Sequence, residues 1–221
     1  MDFESSVNAA EQEWLEHWQR GPQRRKWDRT PAQIGDPAPD FELPDSSGRS
    51  IQLSDFWGGG PALLLFWRHF GCGCGLGRAE RLRGEYPKLV EAGARVAIVG
   101  QGEPERAARY AETFQIPCPI LCDPVERAYR AYGLLEMSPW LLLGKARPDT
   151  EYLHKVMQKH RDIGRPVVDN PFLLPGEFVI SSQGRLVLTY RYHYCDNYPD
   201  PETLLESIRE ASSFSGASVK D

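Results

Sequence analysis

The chain has 221 residues, 41% hydrophobic and 26% charged, and 26 basic against 31 acidic side chains leave a net charge of −5. That suits a globular chain long enough for a sizeable core, and the acidic balance argues against nucleic acid as the main partner, because phosphate recognition needs a basic surface. The longest apolar run, Ala62–Trp67, is six residues, far short of the roughly 20 that span a bilayer. The acidic start Met1-Asp2-Phe3-Glu4 has no apolar signal region. Five cysteines, an odd number in a chain too large to need disulfide staples, point to a reducing cytoplasm with thiols free for chemistry.

The first twenty residues are expected to be helical, because Ala10, Trp14 and Trp18 fall on one face at helical spacing. Gly21-Pro22 stops that helix, and the basic stretch from Gln23 to Ala38 reads as a linker. The Trp14–Trp18 stripe is expected to dock on the domain or on a second copy of the chain, which makes a homodimer one partner to test. Asp40–Leu43 and Ser50–Leu53 alternate around Ser46-Ser47-Gly48 and predict a short hairpin. Pro61–Trp67, a continuous apolar run after Gly58-Gly59-Gly60, suits a central strand buried on both faces. A Gly- and Cys-rich loop follows, then a helix from about Arg78 to Ala92. Arg95–Gly100 is a second buried strand, Pro104–Phe114 a helix and Pro119–Cys122 a third strand. Asp149–Arg161 reads as a polar helix inside an insertion. Glu177–Ser181 and Arg185–Tyr190 form a hairpin around Ser182-Gln183-Gly184, and Glu202–Ala211 closes the chain.

The order β-loop-α-β-α-β, insertion, β-β-α implies an α/β fold with a mixed central sheet flanked by helices, the order of a thioredoxin-like fold. The expected organisation is a helical arm and linker over 1–33, a domain over 34–211 with an insertion at 134–170, and a flexible tail over 212–221.

The chemistry-bearing loop is Arg68-His69-Phe70-Gly71-Cys72-Gly73-Cys74-Gly75-Leu76-Gly77-Arg78. It leaves the C-terminal end of the central strand, the usual crevice for chemistry in an open α/β sheet. A cysteine at a helix N-terminus meets free backbone N–H groups and the positive end of the dipole, and both favour thiolate. Arg68 and Arg78 are placed to add to that effect, His69 is a candidate proton partner, and the flanking glycines leave the sulfurs accessible. Cys72 and Cys74 can also close a small, strained and readily reduced ring. The return of the last hairpin places Tyr192–Cys195 near Pro175, at the active end of the sheet, which makes Cys195 a second candidate resolving thiol. Cys118 is expected to pack, and Cys122 stays open between packing and chemistry.

These residues resemble the peroxiredoxin-like branch of the AhpC/TSA family. The resemblance is carried by Gly35-Asp36-Pro37-Ala38-Pro39-Asp40-Phe41, by Phe66-Trp67-Arg68-His69-Phe70-Gly71-Cys72, by Ile116–Pro124, by Tyr132-Gly133 and by Leu174–Ile180. It implies an antioxidant oxidoreductase in which Cys72 attacks a hydroperoxide, Cys74 or Cys195 resolves the sulfenic acid, and an external thiol restores the enzyme. Arg68 would support the thiolate and Pro175, a thioredoxin-type proline usually preceded by a cis bond, would shape the pocket. The chain departs from peroxiredoxins proper in carrying Leu65 and His69 seven and three residues before Cys72, and Pro175 where that family places an arginine. A thiol–disulfide oxidoreductase acting on proteins therefore stays open beside the hydroperoxide reductase.

No cofactor is expected. A dinucleotide fingerprint fails, because Arg78 stands where a third glycine belongs and the strand ending Val99-Gly100-Gln101 lacks the acidic ribose partner. A metal-binding or metal-delivery module using Cys72, Cys74 and His69 is the alternative of another class. His154, His160 and His17 read as residues of solvated helix faces.

Overall fold

The computed structural model describes residues 2–23, 27, 29–138 and 149–213. Parts of the expected linker, residues 139–148 of the expected insertion and residues 214–221 of the expected tail lie outside the described residues.

The first helix, α1 (Phe3–Arg20), is capped by Asp2, whose carboxylate accepts the Ser5 N–H at 2.8 Å, and it ends at Gly21. Its buried stripe is Val7, Ala10, Trp14 and Trp18. Strands β1 (Glu42–Pro44) and β2 (Ser50–Gln52) pair antiparallel as a separate two-stranded sheet. The main sheet holds β3 (Ala62–Phe66), β4 (Arg95–Gly100), β5 (Ile120–Cys122), β6 (Gly176–Ile180) and β7 (Leu186–Arg191). Its order is β5-β4-β3-β6-β7, with β3, β4 and β5 parallel and β6 and β7 antiparallel. Helices α2 (Gly73–Glu91) and α3 (Pro104–Phe114) make the two crossovers between the parallel strands, and α4 (Arg127–Ala131), α5 (Thr150–Asp162) and α6 (Pro201–Ser213) follow.

The sheet is mixed and flanked by helices, as the element order implies. All five residues of β3 are buried. Side chains alternate across a strand, so Leu63 and Leu65 pack with Leu82, Tyr110 and Ile208 beneath α2, α3 and α6. Leu64 and Phe66 face the other way, against Leu43, Tyr129 and Phe178. A strand with solvent on neither face explains the run of leucines in place of an alternating pattern. Burial of this kind stabilises by about 1.5–3 kcal/mol per large side chain.

Two helix boundaries and one short helix differ from the sequence reading. Helix α2 starts at Gly73 instead of near Arg78, because packing of Ala79, Leu82 and Leu89 on the sheet overrides the low helix propensity of Gly73, Gly75 and Gly77. Short α4 has too few residues to show a period. The last helix runs through Ser212 and Ser213, where a tail was expected, with the Ser212 hydroxyl bonded to the Ile208 carbonyl at 3.0 Å. No helix among the described residues is long and apolar enough to cross a membrane.

Candidate active site

The loop from β3 to α2 carries Arg68–Cys72 at the C-terminal edge of the sheet. Cys72 is the N-cap of α2, and Cys74 lies in its first turn, which contains no acidic residue. A disulfide joins Cys72 to Cys74, with Cα atoms 5.4 Å apart. The two sulfurs are unequal. Cys72 is 7% exposed, whereas Cys74 is half-buried. Arg68 Nη1 donates to Cys72 Sγ at 2.9 Å and reaches Cys74 Sγ only at 3.9 Å. Burial lowers the Arg68 pKa to about 10, opposed by Cys195 nearby. The guanidinium is therefore still cationic at neutral pH, inside a region where a positive charge favours thiolate strongly.

A strap over residues 164–172 covers this loop. Arg68 Nη2 donates to the Pro171 carbonyl. Gly71 lies so close to the Pro166 carbonyl oxygen and the Val167 Cα that a side chain there would collide with backbone. Asn170 and Gln101 exchange hydrogen bonds, the first of them at 2.9 Å from Asn170 N to Gln101 Oε1. Arg106 Nη2 donates to Asp169 Oδ1 at 2.6 Å, both groups buried. Outside the strap, Trp18 stacks on Phe172 at 5.1 Å and on Trp14 at 5.6 Å. Leu153 and Val167 complete that cluster, and Arg161 of α5 ties α1 down through Glu4 and Glu11. The Trp14–Trp18 stripe is thus spent within the chain, and it forms the outer support of the strap.

The AhpC/TSA family model matches residues 34–189. The chain belongs to the AhpC/TSA family. Among curated relatives, the thiol-disulfide oxidoreductase ResA of Geobacillus thermodenitrificans is 31% identical over 121 residues, covering 53% of this chain and 67% of its own. Peroxiredoxin Bcp of Escherichia coli is 30% identical over 104 residues, covering 47% of this chain and 66% of its own. The chain thus spans about two thirds of the length of these relatives. Among solved structures, the peroxidoxin BcpB of Mycobacterium tuberculosis superposes with a TM-score of 0.60 at 20% identity, over 81% of this chain and 97% of that one. That likeness supports the thioredoxin-like fold.

The other residues singled out from the sequence are placed as follows. Cys195 is a free, half-buried thiol in the turn after β7, close enough to Arg68 for its charge to be felt there. That turn lies on the cysteine loop, since Tyr192 N donates to the Pro175 carbonyl at 3.1 Å and the Tyr198 hydroxyl to the Cys74 carbonyl at 2.7 Å. Pro175 sits one residue before Gly176, which pairs with Phe66 of β3. The resemblance implies a cis bond before it, but the described residues contain no cis peptide bond. His69 is buried, and its carbonyl accepts the Cys72 N–H at 3.2 Å. Burial, reinforced by Arg68, His160 and Arg106, holds its imidazole pKa well below the ordinary range, so at neutral pH it is a neutral ring and not a cationic proton donor. His160 is part of that environment and is half-buried, which corrects its reading as a solvated residue; His154 is exposed. Arg78 does not serve the cysteines. It is buried on Glu177 at 2.7 Å and on Glu85 at 2.9 Å, and Glu177 also accepts the Tyr192 hydroxyl. Cys118 and Cys122 are buried thiols whose pKa values burial pushes up to about 12, so both are poor nucleophiles. Among the described residues no group of three or more His, Cys, Asp and Glu is arranged to hold a metal ion.

The strap is what sequence reasoning missed. Its one local signal is Asp169-Asn170-Pro171, a turn cluster with Asp169 at φ 65°. Nothing in that cluster says which loop it covers.

Proposed function

We propose that this protein is a hydroperoxide reductase in which Cys72 is the nucleophile and Cys74 the resolving thiol. The class, a thiol-dependent oxidoreductase, follows from the family and the paired cysteines. The observation that carries the narrower reading is the burial of Cys72 beneath the strap with Arg68 at 2.9 Å. A nucleophile so covered suits a small oxidant better than another protein's disulfide.

In the first step the Cys72 thiolate attacks one oxygen of ROOH. The O–O bond breaks, Cys72 becomes a sulfenic acid, and RO⁻ takes a proton from solvent to leave as ROH. The Cys74 thiol then displaces hydroxide from that sulfur; with one proton this leaves as water and the disulfide forms. Two equivalents of an external thiol, in a reducing cytoplasm, return both cysteines to the reduced state and leave as a disulfide. Arg68 holds the thiolate in the first step, and the neutral His69 ring and Pro175 shape the pocket.

A second reading, thiol–disulfide exchange on proteins, is favoured by Pro175 standing where peroxiredoxins place an arginine, and by the oxidoreductase ResA among the relatives. One experiment separates the two. Reduced protein is given one equivalent of hydrogen peroxide, quenched within seconds, and mapped by mass spectrometry. A Cys72–Cys74 bridge formed within the mixing time is the expected result. A Cys72–Cys195 bridge would transfer the resolving role to Cys195. Unoxidised Cys72, together with rapid reduction of insulin disulfides, would overturn the hydroperoxide reading in favour of disulfide exchange.

A further inference from the structure

The first turn of α2 holds Cys74 with little help from its own sequence. Gly73, Gly75 and Gly77 alternate there with Cys74, Leu76 and Arg78. A side chain at Gly73 would meet nothing outside its own turn within 4 Å. One at Gly75 would make only ordinary contacts, 3.5 Å from the Tyr110 hydroxyl and 3.6 Å from the His69 carbonyl. Packing does not demand glycine at either place. Both residues add backbone freedom to a turn that must bring one sulfur to another.

An outside group holds this turn. The Tyr198 hydroxyl donates to the Cys74 carbonyl at 2.7 Å, and a carbonyl oxygen has two lone pairs, so it can take such a donor beside a helix bond. Burial, then Asp196 and Cys195, raises the Tyr198 pKa above the ordinary phenol value, so the hydroxyl keeps its proton at neutral pH. Gly77 makes the approach possible, because a Cβ there would lie 3.2 Å from that oxygen, close enough to push it back. The ring is fixed as well as the hydroxyl. Tyr192 meets it edge-on at 6.0 Å, and the Arg81 guanidinium lies 5.0 Å from its centre. Tyr192 is itself anchored on Pro175 and on Glu177 of β6. Arg81 is anchored on Glu85, which also pairs with Arg78. The contact on Cys74 is thus braced against the sheet and against the body of α2.

We propose that Tyr198 is a positioning residue for Cys74: its hydroxyl pins the glycine-rich first turn of α2, so that the Cys74 thiol stays beside Cys72 when the pair is reduced. The effect on the disulfide stands on this geometry; its consequence for a sulfenic acid rests on the hydroperoxide reading. Without the hydroxyl the reduced turn samples more conformations, whereas in the oxidised turn the S–S bond itself holds the two residues together. The disulfide then forms less readily.

The test is Tyr198→Phe, which removes the hydroxyl and keeps the ring. Tyr190→Phe is the control, since the Tyr190 hydroxyl accepts the Asn197 amide of the same turn at 3.1 Å. Full-length proteins are equilibrated in glutathione buffers, where the reduced pair and glutathione disulfide exchange for the Cys72–Cys74 disulfide and two glutathione thiols. The pair is read by acid quench, alkylation and mass spectrometry. The equilibrium constant for the disulfide should fall about two- to tenfold in Tyr198→Phe, the size of one neutral hydrogen bond, with near-ultraviolet circular dichroism unchanged. In Tyr190→Phe it should equal the parent's. Under excess hydroperoxide, a sulfenic acid that waits longer for Cys74 takes a second oxygen from ROOH, which leaves as ROH. The share of Cys72 found as sulfinic acid should then rise about twofold or more in Tyr198→Phe. A folded Tyr198→Phe protein with the parent's equilibrium constant would overturn the proposal, and so would an equal fall in Tyr190→Phe. If peroxide leaves Cys72 of the parent untouched, the hydroperoxide reading fails, and the glutathione equilibrium still decides the role of Tyr198.

Discussion

Replacing Arg68 by methionine isolates the contact to the proposed nucleophile, Cys72. Arg68 is 5% exposed and its Nη1 lies 2.9 Å from Cys72 Sγ. In the reduced protein that contact becomes a charge-assisted hydrogen bond to thiolate. Such bonds contribute about 1.5–3 kcal/mol, so its loss should slow thiolate chemistry at pH 7 by about 10- to 150-fold. The assay is iodoacetamide alkylation of reduced protein, followed at Cys72 by peptide mapping across pH. The parent should be nearly flat from weakly acidic pH upward. Arg68→Met should be slow at pH 7 and climb through the ordinary thiol range, near 8.5. Arg68 also anchors Pro171, so the variant loosens the strap, but loosening exposes Cys72 and acts in the opposite direction. Arg68→Lys keeps the charge and should lie between the two. An Arg68→Met protein alkylated at the parent's rate at pH 7 would refute the role given to this residue.

Three further outcomes are expected. Trp18→Ala removes a ring 4% exposed from between Trp14 and Phe172; it should cost about 3–5 kcal/mol in urea unfolding and accelerate Cys72 alkylation, and unchanged alkylation would separate α1 from the strap. His69 is held neutral below its unfolded pKa by burial, then by Arg68, His160 and Arg106. The unfolded chain therefore takes up the proton first as pH falls; the stability is full above about 6.5 and declines below it, by up to about 1.4 kcal/mol per pH unit. His69→Gln should flatten that acid slope between pH 5 and 6.5, and parallel slopes in parent and variant would remove His69 as its source. Cys118 and Cys122, both pushed up to about 12 by burial, should resist alkylation at pH 8 until urea unfolds the chain, whereas half-buried Cys195 reacts in the native protein.

The sequence made the sheet legible because its strands are extreme cases. Ala62–Phe66 is apolar without interruption, and Ser182-Gln183-Gly184 marks its hairpin by composition alone. The position of the cysteine loop was legible for the same reason, since two cysteines among four glycines at a strand-to-helix junction are poor core material. Spacing could not reveal that α2 begins at Gly73, since glycine propensity and tertiary packing oppose each other there and only the second depends on the rest of the chain. Nor could it decide between Arg68 and Arg78. Both flank the cysteines in sequence, but Arg78 faces Glu177, 99 residues later, and a pair so separated leaves no local trace. The same holds for the strap, whose contacts with Arg68, Gly71 and Gln101 all cross long stretches of chain.

The inequality of the two sulfurs gives the proposed cycle a direction. Cys72 is covered and bonded to Arg68; Cys74 is half-buried and only 3.9 Å from the same guanidinium. A disulfide is broken at the sulfur that the incoming thiol can reach, and faster when the departing thiolate is stabilised. Both conditions select attack at Cys74 with Cys72 leaving. The sulfur best placed to be oxidised is then the one the reductant does not touch, and the cycle runs inward through Cys72 and outward through Cys74. Oxidised protein treated briefly with cysteamine and quenched with acid should carry its first adduct on Cys74, and in Arg68→Met that adduct should form more slowly. A first adduct on Cys72 would mean that the strap opens before the disulfide breaks, and that burial does not set the order of steps.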